Sequence, residues 1–507
     1  FKTIFMKYLF FSFAFFVSGF LIQAQEIKAQ VLDFNSHEPV PFATVQYAEH
    51  NGVVTNEEGV FSFSRGSNDF SRFKISSVGY ATLEKDSKDF TDSVIYLKQE
   101  KVQLKDVYLT NKNLSAKEII ERVKNSVQKN YNFDNTQKRF FLRESNFNIV
   151  RQFDLHVNES SIPELNQHLM DRIAENIPKN NDGYKEVLGD FYGNYSQYKV
   201  QPIKAANLYN PQSTASLTEV TEKLQEIFKK NVKKSSYLKI KSGIVGFKVD
   251  ADEFKEETKK DVDTIPKVKT EEEKSKELIS GKKYLQNSVR SQINDLFSGM
   301  FWKSDTPFDV FEKSRKYNFE VAGYTLVDSA VAYVIEFKPK HGADFEGKIY
   351  VNTTDFGVYR LDYQNVKPLK SFSLLGISTK SDVYSGKMIF SKDSQGHYNP
   401  KYLEQEKGET VGISRPLTII EKNKKVVGKR KQNELDMEVN FKISQINKSQ
   451  FVVYENKDWI SGSLEDLNLE ADFDYQTFKK YNPDFWTDYN IIEPNAAIKA
   501  FTVLDSE

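Results

Sequence analysis

A histidine and a carboxylate three residues apart can place two ligands on one zinc ion, and such a pair occurs at His156-Val157-Asn158-Glu159. A third ligand would have to come from a distant histidine such as His341 or His397. The chain holds six histidines, so a spacing of this kind arises easily by chance. The surrounding sequence reads as β-meander and helix and lacks the strand–helix alternation of a layered α/β hydrolase. His156 is therefore read as a solvent-exposed strand residue, with a zinc-dependent hydrolase as the least favoured function. The basic run Lys422, Lys424, Lys425, Lys429, Arg430 and Lys431 flanks Val426-Val427-Gly428. It could meet an anionic partner such as lipopolysaccharide or membrane phosphate, but a charged hairpin that blunts a sheet edge explains it more simply. Carboxylates between Asp250 and Glu277 lack the Asp/Asn/Gly order of a calcium loop. A nucleophile elbow, an HExxH helix, a P-loop and a dinucleotide fingerprint are all missing from the sequence. No catalytic, cofactor or metal residue is assigned, and no enzyme activity is expected.

The elements that would position any site are mostly strands. From Asn318 to Tyr363, Val331, Tyr333, Ile335 and Phe337 alternate with polar neighbours, and Phe345, Ile349 and Val351 repeat the pattern. Period two with one apolar face predicts an antiparallel meander of about four strands that buries one side. Alternation resumes at Val383–Phe390, Tyr402–Glu406, Leu417–Val427 and Leu435–Ile443, giving eight to ten strands in this part. Lys138–Leu155 and Tyr237–Val249 read as further strands. Helices are expected after the capping boxes Ser115-Ala116-Lys117-Glu118 and Ser161-Ile162-Pro163-Glu164, at Leu217–Phe228, and at Val289–Phe297. Asp250 to Lys276 is polar, contains Pro266 and has no apolar period, so it reads as a mobile loop. The aromatic-rich tail, Tyr475 to Phe501, should dock on a core.

A chain of 507 residues is too long for one core, so two or three domains are expected. Lys plus Arg and Asp plus Glu are 71 each, which removes any global field favouring nucleic acid or an anionic membrane. Cysteine is absent, so disulfides, thiolate metal sites and a lipid-anchoring cysteine are excluded for these residues. Lys2 and Lys7 precede an apolar run, Tyr8 to Ile22, that exits at Gln23-Ala24-Gln25. That order predicts a secretory signal peptide over residues 1–24. The run is short for a membrane helix, and no later stretch would span a bilayer.

Three phrases punctuate residues 27–109: Pro39-Val40-Pro41-Phe42-Ala43-Thr44-Val45, Gly52 to Phe61 around Asn56-Glu57-Glu58-Gly59, and Ile75-Ser76-Ser77-Val78-Gly79-Tyr80. Short strands at Ile27–Leu32, Ala43–Tyr47, Val60–Ser64, Phe73–Ser77 and Val94–Leu97 suit a small β-sandwich. These phrases resemble the carboxypeptidase regulatory-like domain, a transthyretin-type sandwich common in exported Gram-negative proteins. Ala29 stands where that family usually has glycine, while Asp33 fits its usual acidic residue. The resemblance implies a non-catalytic module.

The expected fold is α+β, mostly β: a small N-terminal β-sandwich followed by a large curved antiparallel sheet covered in part by helices. The divisions are residues 1–24, signal peptide; 25–110, sandwich; 111–249, helices and first strands of the large domain; 250–284, charged mobile loop; and 285–507, large sheet with the aromatic tail. The expected function is a non-enzymatic periplasmic or outer-membrane-associated scaffold. Its partner would be an outer-membrane protein or a TonB-dependent-receptor-type complex, not nucleic acid. The alternative is a carrier of lipid or another apolar ligand on a half-open sheet. Export without a lipoprotein anchor is the expected localisation.

Overall fold

In a computed structural model, the tight turn at Asn56–Gly59 shows how local sequence sets the first unit. Gly59 adopts φ +74°, and a Cβ there would stand 2.5 Å from the Val31 carbonyl oxygen, so only glycine fits. Asn56 Oδ1 accepts from the backbone N–H groups of Glu58 and Val60 and locks the loop. The structure describes residues 26–47, 52–64, 72–86, 93–100, 114–209, 211–233, 235–251, 271–340, 342–425, 430–459, 462–469, 472–487 and 489–502. The expected signal peptide lies outside them.

Two compact units emerge. The smaller comprises residues 1–101, 326–330 and 482–496, and the larger holds the rest. In the smaller, β1 (Glu26–Asp33) lies between β4 (Val60–Ser64), antiparallel, and β7 (Val94–Leu97), parallel. The second sheet orders β3 (Gly52–Val54), β2 (Thr44–Gln46), β5 (Arg72–Ser76) and β6 (Leu83–Asp86). Val31, Val45, Phe61, Phe73 and Ile75 fill the interior, as the alternation requires. Asp33 is buried at the end of β1, accepting from the N–H groups of Asn35 and Ser36 and from Gln99 Nε2. Those donors, the Ser36 N–H foremost, lower its carboxyl to about 2. Residues 482–496 belong to this unit: Glu493 accepts from Ser62 Oγ and pairs with Lys28 Nζ at 2.7 Å.

The larger unit is built on one 14-stranded sheet. Its main path runs β13 (Tyr317–Val327), β14 (Ala330–Pro339), β15 (Phe345–Asn352), β16 (Val358–Asn365), β18 (Ile377–Lys392), β19 (Tyr398–Asn423), β20 (Lys431–Asp458), β8 (Thr136–Ser160), β9 (Asn180–Gly193), β10 (Tyr198–Leu208) and β21 (Asp474–Phe478). Off this path, β17 (Lys370–Leu374) pairs with β18, β11 (Ser236–Ser242) with β19, and β12 (Val245–Asp250) with β11. The expected antiparallel order holds with one correction, because β21 joins β10 in parallel. The four-strand meander is present, with Tyr333, Ile335, Phe337, Phe345, Ile349 and Val351 all buried.

Helix α1 (Ala116–Asn130) starts at the expected capping box, both halves of which are made. The second expected box is not a cap. Helix α2 (Gln167–Asn176) starts later, with Asn166 as its N-cap. Ser161 Oγ instead accepts from the Glu434 N–H and binds the backbone of β20, so a strand edge outcompetes the helix for the serine. Helix α3 (Pro211–Asn231) contains the expected segment. The mobile loop over 250–284 needs correction at its end: helix α4 runs Glu271–Ser298. Its first turns lack an apolar period, but Glu, Lys and Leu are strong helix formers, and buried Leu285, Val289 and Ile293 anchor the helix at i, i+4 steps. Helix α5 (Ala496–Ala500) is short.

Candidate ligand-binding face

Strand registers divide the large sheet into an apolar face and a polar one, since residues paired across a ladder point the same way. On the apolar face, one end is a core beneath α1 and α4. Phe308 stacks on Tyr363 with ring centroids 4.1 Å apart, and Phe297 of α4 meets Phe191, Tyr198 and Phe451 edge-on. Tyr131, at the end of α1, accepts from the Val358 N–H and donates to the Val358 carbonyl. At the other end, α2 and α3 cover the same face. Leu169, Met170, Ile173 and Ile227 pack with Leu435 and Met437 of β20. Gln167 fastens α2 to β8 by accepting from the Val157 N–H and donating to the Leu155 carbonyl, both at 2.8 Å.

The cover at this second end is incomplete. A cavity of 230 Å³ lies between α2, α3 and strands β11, β19 and β20, walled chiefly by Ile162, Met170, Leu224, Phe228, Ile240 and Ile419. Glu421 and Asn433 form its polar border. Glu421 accepts from the Lys233 N–H at 2.8 Å and from Asn433 Nδ2 at 2.6 Å. The cavity exceeds the roughly 150 Å³ dry apolar void that holds benzene. Between the two helical covers, Phe372, Leu374, Ile377, Val411 and Ile443 of the same face remain exposed. Alternate residues of β19 (Val411, Ile413, Arg415, Leu417 and Ile419) carry this stripe to the cavity wall.

The polar face carries a cross-strand row of charges. Successive register partners are Glu336, Lys348, Asp362, Lys387, Glu404, Gln450, Arg143 and Glu186, on eight neighbouring strands. Opposite signs alternate up to Gln450, and Arg143 with Glu186 closes the row. The row deepens from an exposed pair, Lys348–Glu336 at 3.0 Å, to the buried pair Arg143–Glu186 at 2.6 Å. A polar groove of 510 Å³ lies over its shallow half. Burial pushes the Lys387 ammonium down, while Glu404 and Asp362 oppose that shift. Burial pushes Glu404 up, but Lys448, Lys387 and hydrogen bonds from Tyr402 and Gln450 outweigh it and hold the carboxyl low. Opposite charges matched on either side of Gln450 hold strand register.

The residues singled out from sequence do not converge. His156 and Glu159 are both exposed on β8, His397 lies in the β18–β19 turn, and His341 falls outside the described residues. No group of three or more His, Asp or Glu able to hold a metal occurs among the described residues. The basic run sits where β19 turns into β20: Lys422 pairs with Lys431, Lys424 meets Asp250 at 3.0 Å, and Lys431 pairs with Glu434. Lys429 lies outside the described residues. Of the carboxylate-rich stretch between Asp250 and Glu277, Asp250 is held by Lys424, residues 252–270 lie outside the described residues, and residues from Glu271 on are helical. Among the described residues, no helix is long and apolar enough to cross a membrane.

Residues 27–109 match the model of the CarboxypepD_reg-like domain, so this N-terminal stretch is a domain of that kind. No curated protein matches the chain. Among solved structures the chain is similar to a LolA superfamily protein from Nitrosomonas europaea, at 9% identity over 69% of this chain and 96% of that one, with TM-score 0.17. It is also similar to a chain of the Pseudomonas aeruginosa MucA/MucB complex, at 6% identity over 68% of this chain and 99% of that one, with TM-score 0.17.

Proposed function

We propose that the large unit holds a lipid or another apolar ligand on the apolar face of its sheet, beneath α2 and α3. The cavity of 230 Å³ carries this reading, because its wall is almost wholly aliphatic and aromatic. An exposed stripe of the same face continues from it, so a chain longer than the cavity has apolar surface to follow. The reading assigns no reaction to the protein. Holding such a ligand outside the cytoplasm agrees with the export signal expected over residues 1–24. Titration with a fluorescent fatty acid tests it: saturable binding at one site per chain is expected, and the absence of saturable binding contradicts it.

A second reading is a non-enzymatic scaffold that joins an outer-membrane complex. The match of residues 27–109 to a CarboxypepD_reg-like domain favours it, since the resemblance implies a module without catalysis. Crosslinking in intact cells would then capture an outer-membrane protein in fixed ratio, and capture of none would remove this reading.

A further inference from the structure

Two hairpins lie end to end along one edge of β19. β18 pairs with β19 as far as Ile377–Ile413, and β11 begins at Lys241–Thr418. Residues 414–417 are left between them, and Pro416, with no N–H to donate, suits a gap in the ladder. Both turns meet there. The Ser414 N–H donates to the Gly376 carbonyl at 2.7 Å, and Arg415 Nη2 donates to the Ser242 carbonyl.

These turns present what a soluble surface ordinarily hides. Ile244 is 88% exposed, Val245 and Phe247 beside it are more than half exposed, and so are Phe372, Leu374 and Leu375 on the other hairpin. Leu375 has φ +50° and precedes Gly376 at φ +78°, a turn geometry that favours Asn, Asp or Gly. Folding alone therefore gives no reason for leucine at that position. The charges are one-sided as well. Across residues 236–250 and 370–381 stand Lys239, Lys241, Lys248, Lys370 and Lys380 against Asp250, which Lys424 already holds at 3.0 Å.

We propose that these paired turns dock the large unit on a lipid bilayer with anionic headgroups. The apolar tips enter the boundary between headgroups and acyl chains, while the lysines and Arg415 meet the phosphates. A nucleic acid would use the lysines but not the aliphatic tips, and a purely apolar partner would leave five lysines unmatched. Phe247 pairs with Ile240, which lines the cavity, so the docked tip opens onto the apolar stripe leading there. The docking inference stands on the turns and does not need the cavity to be filled.

The test is flotation of the full chain with vesicles of phosphatidylcholine, alone or with one third phosphatidylglycerol. Binding is expected to the anionic vesicles and to weaken in high salt. The double variant Ile244→Asn, Leu375→Asn should bind at least about tenfold less, at tenfold per 1.4 kcal/mol. Leu375→Asn alone should melt no lower than the parent, because asparagine suits a positive φ, which separates lost docking from lost folding. Equal flotation of parent and double variant overturns the proposal. So does absence of parent binding, or a self-association of the chain that the double variant dissolves.

Discussion

Replacing Glu186 by glutamine should be among the most damaging single changes in the large unit. Its side chain is 0% exposed and that of Arg143 3%, with Nη2 to Oε1 at 2.6 Å and Nε to Oε1 at 2.7 Å. The substitution keeps the shape and leaves a buried guanidinium without its counter-charge. Breaking such a pair from one side costs about 3–5 kcal/mol, and the amide oxygen that still accepts a bond places this case near 3. The double variant Arg143→Met, Glu186→Leu should recover most of the loss, because well-packed apolar side chains can replace a buried pair. Urea denaturation followed by circular dichroism measures both, and with the singles Arg143→Met and Glu186→Leu closing the cycle a coupling of about 2 kcal/mol or more is expected. The pair also pins β8 to β9. A slip of one residue would turn every side chain to the other face and destroy the apolar surface. A loss under about 1 kcal/mol for Glu186→Gln would refute the view that this row sets the register.

Three further outcomes follow from particular sites. Lys138 is buried against Asn399 and Asn456, and burial lowers its ammonium from 10.5 to about 7. The unfolded chain then binds more protons between those values, so stability rises as pH climbs from about 7 toward 10.5. Lys138→Met should add about 2 kcal/mol at pH 6, with the gain shrinking by pH 9.5 in denaturant titrations at both values. Asp33 behaves oppositely: its carboxyl is lowered, so its stabilisation is present above about 3.8 and lost as pH falls through about 2. Asp33→Asn should lower the melting point of the sandwich at pH 7 and flatten its acid limb. Ile227→Trp, on α3 beside the cavity, should weaken fatty-acid binding about tenfold by occupying the space, while circular dichroism stays unchanged.

The sandwich was legible because its turns demand particular residues: Asn56 and Gly59 close one hairpin, and Asp33 caps the end of β1. The 318–363 meander was legible because one of its faces is buried and the other is wet. Strands β9 and β10, over residues 180–208, were not foreseen. Val187 to Phe191 are buried on both faces, which erases the period-two signal. β19 and β20 read as fragments because their middles, residues 407–416 and 444–449, carry mostly polar residues and glycine, which breaks the apolar alternation partway along. The cavity could not be read at all. Its wall gathers residues near 162–170, 224–240 and 419–435, and only the pairing of β11 with β19 brings them together. The Leu375-Gly376 turn was visible as letters, but its exposure is a product of tertiary structure.

Native mass spectrometry of the full chain, purified from its producing cells without detergent, addresses the ligand reading most directly. A mass exceeding that of the polypeptide by one lipid-sized apolar molecule, released into organic solvent, is the predicted result. A chain whose mass equals the polypeptide alone, and which takes up no fatty acid when one is offered, would contradict it.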